Sequence, residues 1–391
     1  MTDRCYLDWN ATVPVLEEVV AAVHEALRSG VGNPASAHAE GRRARVFLEE
    51  ARRDVAELLG AAPGEVVFTS GGTEANAAAL WGLIAGTGRL EGRHLLVSAV
   101  EHPGITAAAA ELERLGVLVE TIRVLASGLL DLSSLEAALE RRPGAVVAVQ
   151  LANSETGVVQ ELPAVVARAR AAGARVHCDA VQGLGKVPVA ARAWGVDTLA
   201  VTGHKIGAPP GVGALVVRDE GSVRPLIPGT QEGHRRGGTE NLPGIVGFGV
   251  AARVARTGMA RWQGLAALRD AFETDALRRV PGTVVYGAGA PRLANTSCLG
   301  LPEGMRGGAI VAALDLEGFA VSAGPACSAG VERPSPAVQA MGFGRDAAER
   351  TLRVSLGLET GETELRGLVD ALERVTSRLK GVRGDRELSE L

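Results

Sequence analysis

Short apolar runs alternate along the chain with longer stretches whose apolar positions recur at helical spacing. The runs at 66–68, 95–97, 145–151, 175–178, 198–201 and 214–217 are continuous enough to be buried strands. Between them, 45–59 and 162–172 carry apolar residues on one helical face and predict helices. Strands spaced by helices imply an α/β chain with a largely parallel sheet covered on both faces. Ligands of such sheets gather beyond the carboxyl ends of the strands. Asn153, Asp179 and Lys205 each fall just past a run, and Thr73 opens the helix after one. Beyond about residue 255 the pattern changes to longer helices, 260–280 and 362–379, with short runs at 296–299 and 352–355. A second, smaller domain is expected there.

Composition narrows the function classes. At 391 residues the chain exceeds what one core usually organises. A formal net charge of −4 gives no basic field for nucleic acid, and the local basic clusters Arg42-Arg43-Ala44-Arg45 and His234-Arg235-Arg236 are expected to be solvated faces. The cysteines Cys5, Cys178, Cys298 and Cys327 are scattered, with no Cys-x-x-Cys pair, so neither a disulfide framework nor a metal site is expected. The opening residues carry no apolar signal segment and no run is long enough to span a membrane. A cytoplasmic protein that does not touch membranes is the expectation.

The chemistry concentrates in two segments. Asp179-Ala180-Val181-Gln182 ends one apolar run, and Thr202-Gly203-His204-Lys205 follows the next. An acid and a lysine so placed could hold opposite ends of an aromatic aldehyde cofactor. The lysine reacts with the aldehyde, and the carboxylate keeps the ring nitrogen protonated so that the ring can accept electrons. The bland alternative is a helix-capping Asp and a solvated Lys, and Lys186 is the nearest rival amine. Phe68-Thr69-Ser70-Gly71-Gly72-Thr73-Glu74-Ala75-Asn76 reads as strand, glycine turn and helix start, a cradle for phosphate. It lacks both the Gly-Lys-Ser/Thr and the Gly-x-Gly-x-x-Gly patterns. Cys327 sits in Val321-Ser322-Ala323-Gly324-Pro325-Ala326-Cys327-Ser328-Ala329-Gly330, a segment of small residues that suits a loop thiol.

Taken in order, these elements resemble the cysteine desulfurases, pyridoxal-phosphate enzymes of the class V aminotransferase group. The likeness also includes Tyr6-Leu7-Asp8 with Asn10-Ala11-Thr12, Gly32-Asn33-Pro34, Glu101-His102, Asn153-Ser154-Glu155-Thr156-Gly157, Arg236-Gly237-Gly238-Thr239-Glu240-Asn241 and Arg353-Val354-Ser355-Leu356-Gly357. It implies the aspartate aminotransferase-like transferase fold, with a mostly parallel seven-stranded-type sheet. A large cofactor domain would span 14–256. A small α+β domain would join 1–13 to 257–391 and carry the cysteine loop at about 322–342.

By the same resemblance Lys205 bonds to pyridoxal 5'-phosphate, Asp179 pairs with its ring nitrogen, Gln182 with its phenolic oxygen, and His102 stacks on the ring and can shuttle protons. Gly72, Thr73, Thr202 and His204 would bind the phosphate, with Thr239 reaching in from a second subunit, so the sites would be shared across a homodimer. Asn153 and Arg353 would hold the substrate carboxylate, the arginine through its planar fork. L-Cysteine would become L-alanine, its sulfur passing to Cys327 as a persulfide for an acceptor protein in an iron–sulfur, thiolation or other sulfur-modification pathway. Two departures stand out: Val13 replaces a usual Thr, and Pro325 stands where a serine is common and fixes its own φ. The stretch from Cys327 to Gly342 resembles the longer-loop branch of the family. A selenocysteine lyase, and a fold-retaining protein that only binds sulfur acceptors, are the competing possibilities. A plain transaminase has no use for the loop cysteine.

Overall fold

A computed structural model describes residues 4–29, 32–86, 88–219, 221, 223–324 and 333–389. Its strands are β1 Cys5–Tyr6, β2 Val66–Thr69, β3 His94–Ser98, β4 Leu118–Ile122, β5 Val146–Gln150, β6 Arg175–Asp179, β7 Thr198–Thr202, β8 Gly213–Val217, β9 Val284–Val285, β10 Thr296–Gly300, β11 Phe319–Ala320 and β12 Thr351–Ser355. A seven-stranded sheet runs in the order β2-β8-β7-β6-β5-β3-β4. The pairs from β7 through β4 are parallel, and only β8 runs against its neighbours β7 and β2. The α/β class and the mostly parallel sheet expected from the pattern are present. The central strands β5, β7 and β8 are buried along their whole length because helices cover both faces.

Four strands and one helix depart from the pattern-based expectation, β1 and β11 among them as two-residue strands too short to leave a pattern. β4 was not expected: it is the edge strand, half exposed, and its Glu120 and Thr121 interrupt any apolar run. The antiparallel β12-β10-β9 sheet contains β9, a two-residue strand too short to leave a pattern. The helix expected at 260–280 instead runs unbroken over Leu242–Arg279. Its first part is rich in glycine, which reads as a break in sequence. In the fold those glycines let helices touch: a Cβ on Gly249 would lie 2.7 Å from the Ala51 Cα of the helix Ala39–Leu59.

Apolar residues bury in a large cluster around the seven-stranded sheet and in a second one that joins Leu7, Trp9 and Val13 to Trp262, Phe272 and Leu352. Val13 thus packs as core, which accounts for an apolar residue at that position. β1 pairs in parallel with β11, and Asp8 bridges to Ser355, which draws the N-terminal residues over the cavity described next. Among the described residues no helix is long and apolar enough to cross a membrane.

Candidate active site

The carboxyl ends of β5, β6 and β7 meet the N-terminal segment and β12 around one cavity. Asn10, His102, Asp179, Gln182, Lys205 and Arg353 line it. Asp179 ends β6 and is buried, with Oδ1 accepting the Val181 N–H at 3.0 Å and Oδ2 accepting the Asn76 amide at 2.7 Å. Burial pushes its carboxyl up, while His102, the Val181 and Asn76 donors and Lys205 hold it down, leaving a net rise. Behind it stands Glu101, whose Oε1 accepts the Gln150 N–H at 2.7 Å and whose Oε2 has no partner among the described residues. Burial and the Asp179 charge drive the Glu101 carboxyl well above the usual range. Of the two neighbouring acids, Glu101 is the one pushed further towards its protonated form.

Lys205 closes the short turn Gly203–Lys205 after β7 and donates from Nζ to the carbonyls of Asn10 and, at 2.7 Å, Ala11. Gln182 donates from Nε2 to the same Asn10 carbonyl at 2.7 Å, and its Oε1 accepts from Lys186 at 3.2 Å. Lys186 does not line the cavity; it is buried against the Trp262 ring, and burial lowers it to about 7. His102 caps the helix Pro103–Arg114, its Nδ1 accepting the Gly104 N–H at 3.0 Å. Any single ring proton therefore sits on Nε2. Arg353 on β12 is 1 % exposed. Its Nη2 pairs with Asp8 at 2.6 Å, its Nη1 donates to the Ser154 carbonyl at 3.0 Å, and its Nε is a buried donor with no partner among the described residues.

The remaining predicted residues among those described do not line this cavity. Gly72 opens the helix Gly72–Ala85, whose Gly71 cap supplies no side-chain acceptor, so the first amides remain available. A Cβ on Gly72 would come within 2.8 Å of the Val181 side chain and 3.6 Å of Thr202. The glycine thus lets the helix start lie against the turn after Asp179. Thr73 and the His102 ring both neighbour Gly104. His204 sits over Thr12, 3.2 Å from its hydroxyl, and burial next to Lys205 lowers it to about 4. Asn153 is buried and fully engaged: its Oδ1 caps the turn at Glu155 and Thr156, and its Nδ2 donates to the Val100 carbonyl at 3.2 Å. Thr239 is exposed in a separate hollow beside Thr69, Ser70 and Arg236. Arg236 there ion-pairs with Glu74 at 2.9 Å, which ties that loop to the helix start.

Cys327 and Pro325 lie outside the described residues. The chain on either side of them is well anchored. Ser322 exchanges backbone hydrogen bonds with Arg353, and Ser335 donates to the buried Glu155 at 2.5 Å. Burial makes the described thiols poor nucleophiles: it pushes Cys5 up to about 11, Cys178 well above the usual thiol range, and Cys298 up as well.

The profile described as "Aminotransferase class-V" matches residues 5–368. The chain belongs to the class V aminotransferase family. Family relatives include a cysteine desulfurase of Cereibacter sphaeroides, 41% identical with 97% of each chain covered. Cysteine desulfurase 2 of Trichormus variabilis is 39% identical over 96% of this chain and 94% of that protein. Among solved structures, the NifS-like protein from Rickettsia africae superposes with a TM-score of 0.85 at 28% identity, covering 96% of this chain and 99% of its own.

Several residues around the cavity escaped the sequence reading. Asn76 and His177 are the clearest: His177 lies in the middle of apolar β6, and Asn76 stands alone among the alanines of its helix. An isolated polar residue in a run destined for burial was the available signal, because such a group needs a partner. Asn10 and Glu101 belonged to recognised motifs but carried no assigned role. Asn10 proves to be a hub, bonding Lys205, Gln182, Lys186, Thr296 and Ser355.

Proposed function

We propose that the protein is a pyridoxal-phosphate-dependent L-cysteine desulfurase. The observation that carries this reading is the convergence of Asp179, His102, Lys205, Gln182 and Arg353 on one cavity, with both anchors of the Cys327 segment beside it. The donor set fits a phosphorylated pyridine aldehyde: a buried acid, an amine on the opposite turn, and a glycine-opened helix with uncapped amides. When bound, pyridoxal phosphate supplies an aldehyde for the substrate amine and a ring that stores the electrons released at Cα. Lys205 would hold it covalently, Asp179 would face the ring nitrogen, Gln182 the phenolic oxygen, and His102 the ring. Gly72, Thr73, Thr202 and His204 would serve the phosphate, joined by Thr239 of a second copy of the chain.

Each protein group then has a defined task. Arg353 offers its unpartnered Nε–H to the substrate carboxylate while Asp8 fixes the guanidinium plane, and Asn153 stiffens the turn beside it. Lys205 Nζ, once displaced by the substrate amine, would take the α-proton; its reach to two backbone carbonyls holds that amine beside the cavity. Cys327 attacks the substrate sulfur as thiolate. A sulfur–sulfur bond forms, the carbon–sulfur bond breaks with its electron pair left on the carbon fragment, and a proton delivered there completes alanine. The persulfide on Cys327 is then available to an acceptor protein, and a reducing cytoplasm would keep that thiol competent. We also propose the domain division at 13/14 and 256/257, with the long helix Leu242–Arg279 crossing the second boundary.

The test is product balance. Purified enzyme with L-cysteine should yield alanine in equal amount to protein-bound persulfide plus released sulfide. Alanine formed from selenocysteine alone would instead mark a lyase, and no alanine from either substrate would mark a binding protein.

A further inference from the structure

Four buried polar side chains stand in line behind the cavity. Asp179 Oδ2 accepts from Asn76 Nδ2 at 2.7 Å, Asn76 Oδ1 lies 2.9 Å from His177 Nε2, and His177 Nδ1 lies 3.0 Å from Thr198 Oγ1. All are at least nine-tenths buried, His177 and Thr198 completely. Solvent supplies no alternative partner to His177 or Thr198, and among the side chains the direction of each hydrogen bond is set by the next; a Thr198 backbone group also lies against His177.

An ionised carboxylate can only accept, so Asn76 must present its amide nitrogen to Asp179 and its oxygen to His177. His177 must then carry its proton on Nε2, which leaves Nδ1 as an acceptor for the Thr198 hydroxyl. Reversing the chain would require a proton on Asp179 Oδ2, a flipped amide, the other imidazole tautomer and a rotated hydroxyl, all together. The second carboxylate oxygen, Oδ1, already accepts the Val181 N–H. We propose that Asn76, His177 and Thr198 form a positioning relay that holds Asp179 ionised and aimed into the cavity, with His177 fixed as the neutral Nε2–H tautomer. This rests on reading Asp179 as the partner of the cofactor ring nitrogen. It assigns the three residues a directional task that packing alone would not require.

The surroundings agree with that direction. Burial lowers His177 to about 3, so it is neutral across the working range. The titratable groups facing Asp179 are Glu101 and His102 from the segment after β3, Lys205 after β7 and Cys178 on its own strand. Burial drives Glu101 and Cys178 towards their neutral forms, which add no negative charge beside Asp179. Burial itself favours a protonated Asp179, and the relay opposes that tendency.

The experiment uses the full chain with 15N-labelled histidine and a long-range proton–nitrogen spectrum from pH 5 to 9, without and with pyridoxal phosphate. The expected result is a His177 that stays neutral, with its proton on Nε2 throughout. A Nδ1–H tautomer, or a charged His177, overturns the relay. In parallel, the acid-side midpoint for pyridoxal phosphate affinity is compared between wild type and Asn76→Leu, so that the cofactor's own titrations cancel. Losing one hydrogen bond to an ionised group should move that midpoint up by roughly one to two pH units. An unchanged midpoint would reduce Asn76 to a packing residue and refute the proposal. Should Asn76→Leu not fold, Thr198→Val removes only the terminal donor: Asn76 still demands the Nε2–H tautomer, so the tautomer should persist while the acid-side midpoint rises by a smaller amount, and a switch to Nδ1–H or an unmoved midpoint also refutes it. The tautomer measurement needs no cofactor. If pyridoxal phosphate fails to bind wild type, the proposed function falls while the spectrum still decides the relay.

Discussion

Replacing Arg353 by lysine probes the proposed substrate end of the cavity with the charge preserved. The guanidinium now makes an ion pair to Asp8 through Nη2 and a bond to the Ser154 carbonyl through Nη1, and keeps Nε free. A lysine has one nitrogen at one distance and can keep the Asp8 pair at most, so the donor meant for the substrate carboxylate is lost. A hydrogen bond to a charged group is worth about 1.5–3 kcal/mol, which corresponds to a fall in kcat/KM for L-cysteine of roughly 10- to 150-fold. The loss should appear mainly in KM, because the carboxylate is bound alike before and during the reaction. The assay compares L-cysteine with L-cysteine methyl ester, measuring the alanine or alanine ester formed, with a melting curve to establish that the variant is folded. Wild type should prefer the free acid strongly, and Arg353→Lys should erase most of that preference while barely changing turnover of the ester. Equal losses on both substrates would refute the assignment, since they would trace the damage to the Asp8 and Ser154 contacts.

Three further outcomes follow from the same geometry. Lys186 is lowered by burial and by the Lys205 and Arg353 charges to about 7, from 10.5 in the unfolded chain. Between those values the unfolded state binds the extra proton, so this residue makes stability rise with pH, by at most about 1.4 kcal/mol per unit. Denaturant titrations from pH 7 to 10 should show that slope in wild type and a flatter one in Lys186→Met; identical slopes would contradict the buried, partly neutral lysine. Cys327→Ser should keep its bound cofactor and its spectral response to L-cysteine, yet form no persulfide by thiol-specific mass labelling, and persistent desulfuration at the wild-type rate would move the nucleophile elsewhere. Thr239→Ala should loosen cofactor retention on the order of tenfold, one hydrogen bond to a charged phosphate. In a mixed dimer with Lys205→Ala, the subunit that keeps Lys205 should recover normal retention; without recovery, Thr239 acts within its own chain.

Much of this architecture could be read from the chain because central strands buried on both faces write themselves as unbroken apolar runs. β5, β6 and β7 appear within a residue or two of their expected ends. The edge strand β4 left no such trace, since half of it faces solvent. The glycines that open the helix Leu242–Arg279 misled for the opposite reason: their value lies in contacts with helices far away in sequence, which a local pattern cannot show. The same division runs through the site. Asp179 and Lys205 were legible from their spacing and His102, Gln182 and Arg353 from the resemblance of their motifs to the family, and all five line one cavity. Asn76, His177 and Glu101 were hidden because their partners lie up to about a hundred residues away, across the sheet or on another element.

The central claim is that Lys205, and no other amine, engages the cofactor in a cavity built for cysteine. Borohydride reduction of the pyridoxal-phosphate-loaded enzyme, followed by proteolysis and mass mapping, tests it most directly. The account predicts a single stable pyridoxyl label on Lys205 that is absent when excess L-cysteine is added before the reductant. A label on Lys186 or on a surface lysine, with Lys205 unmodified, would contradict it.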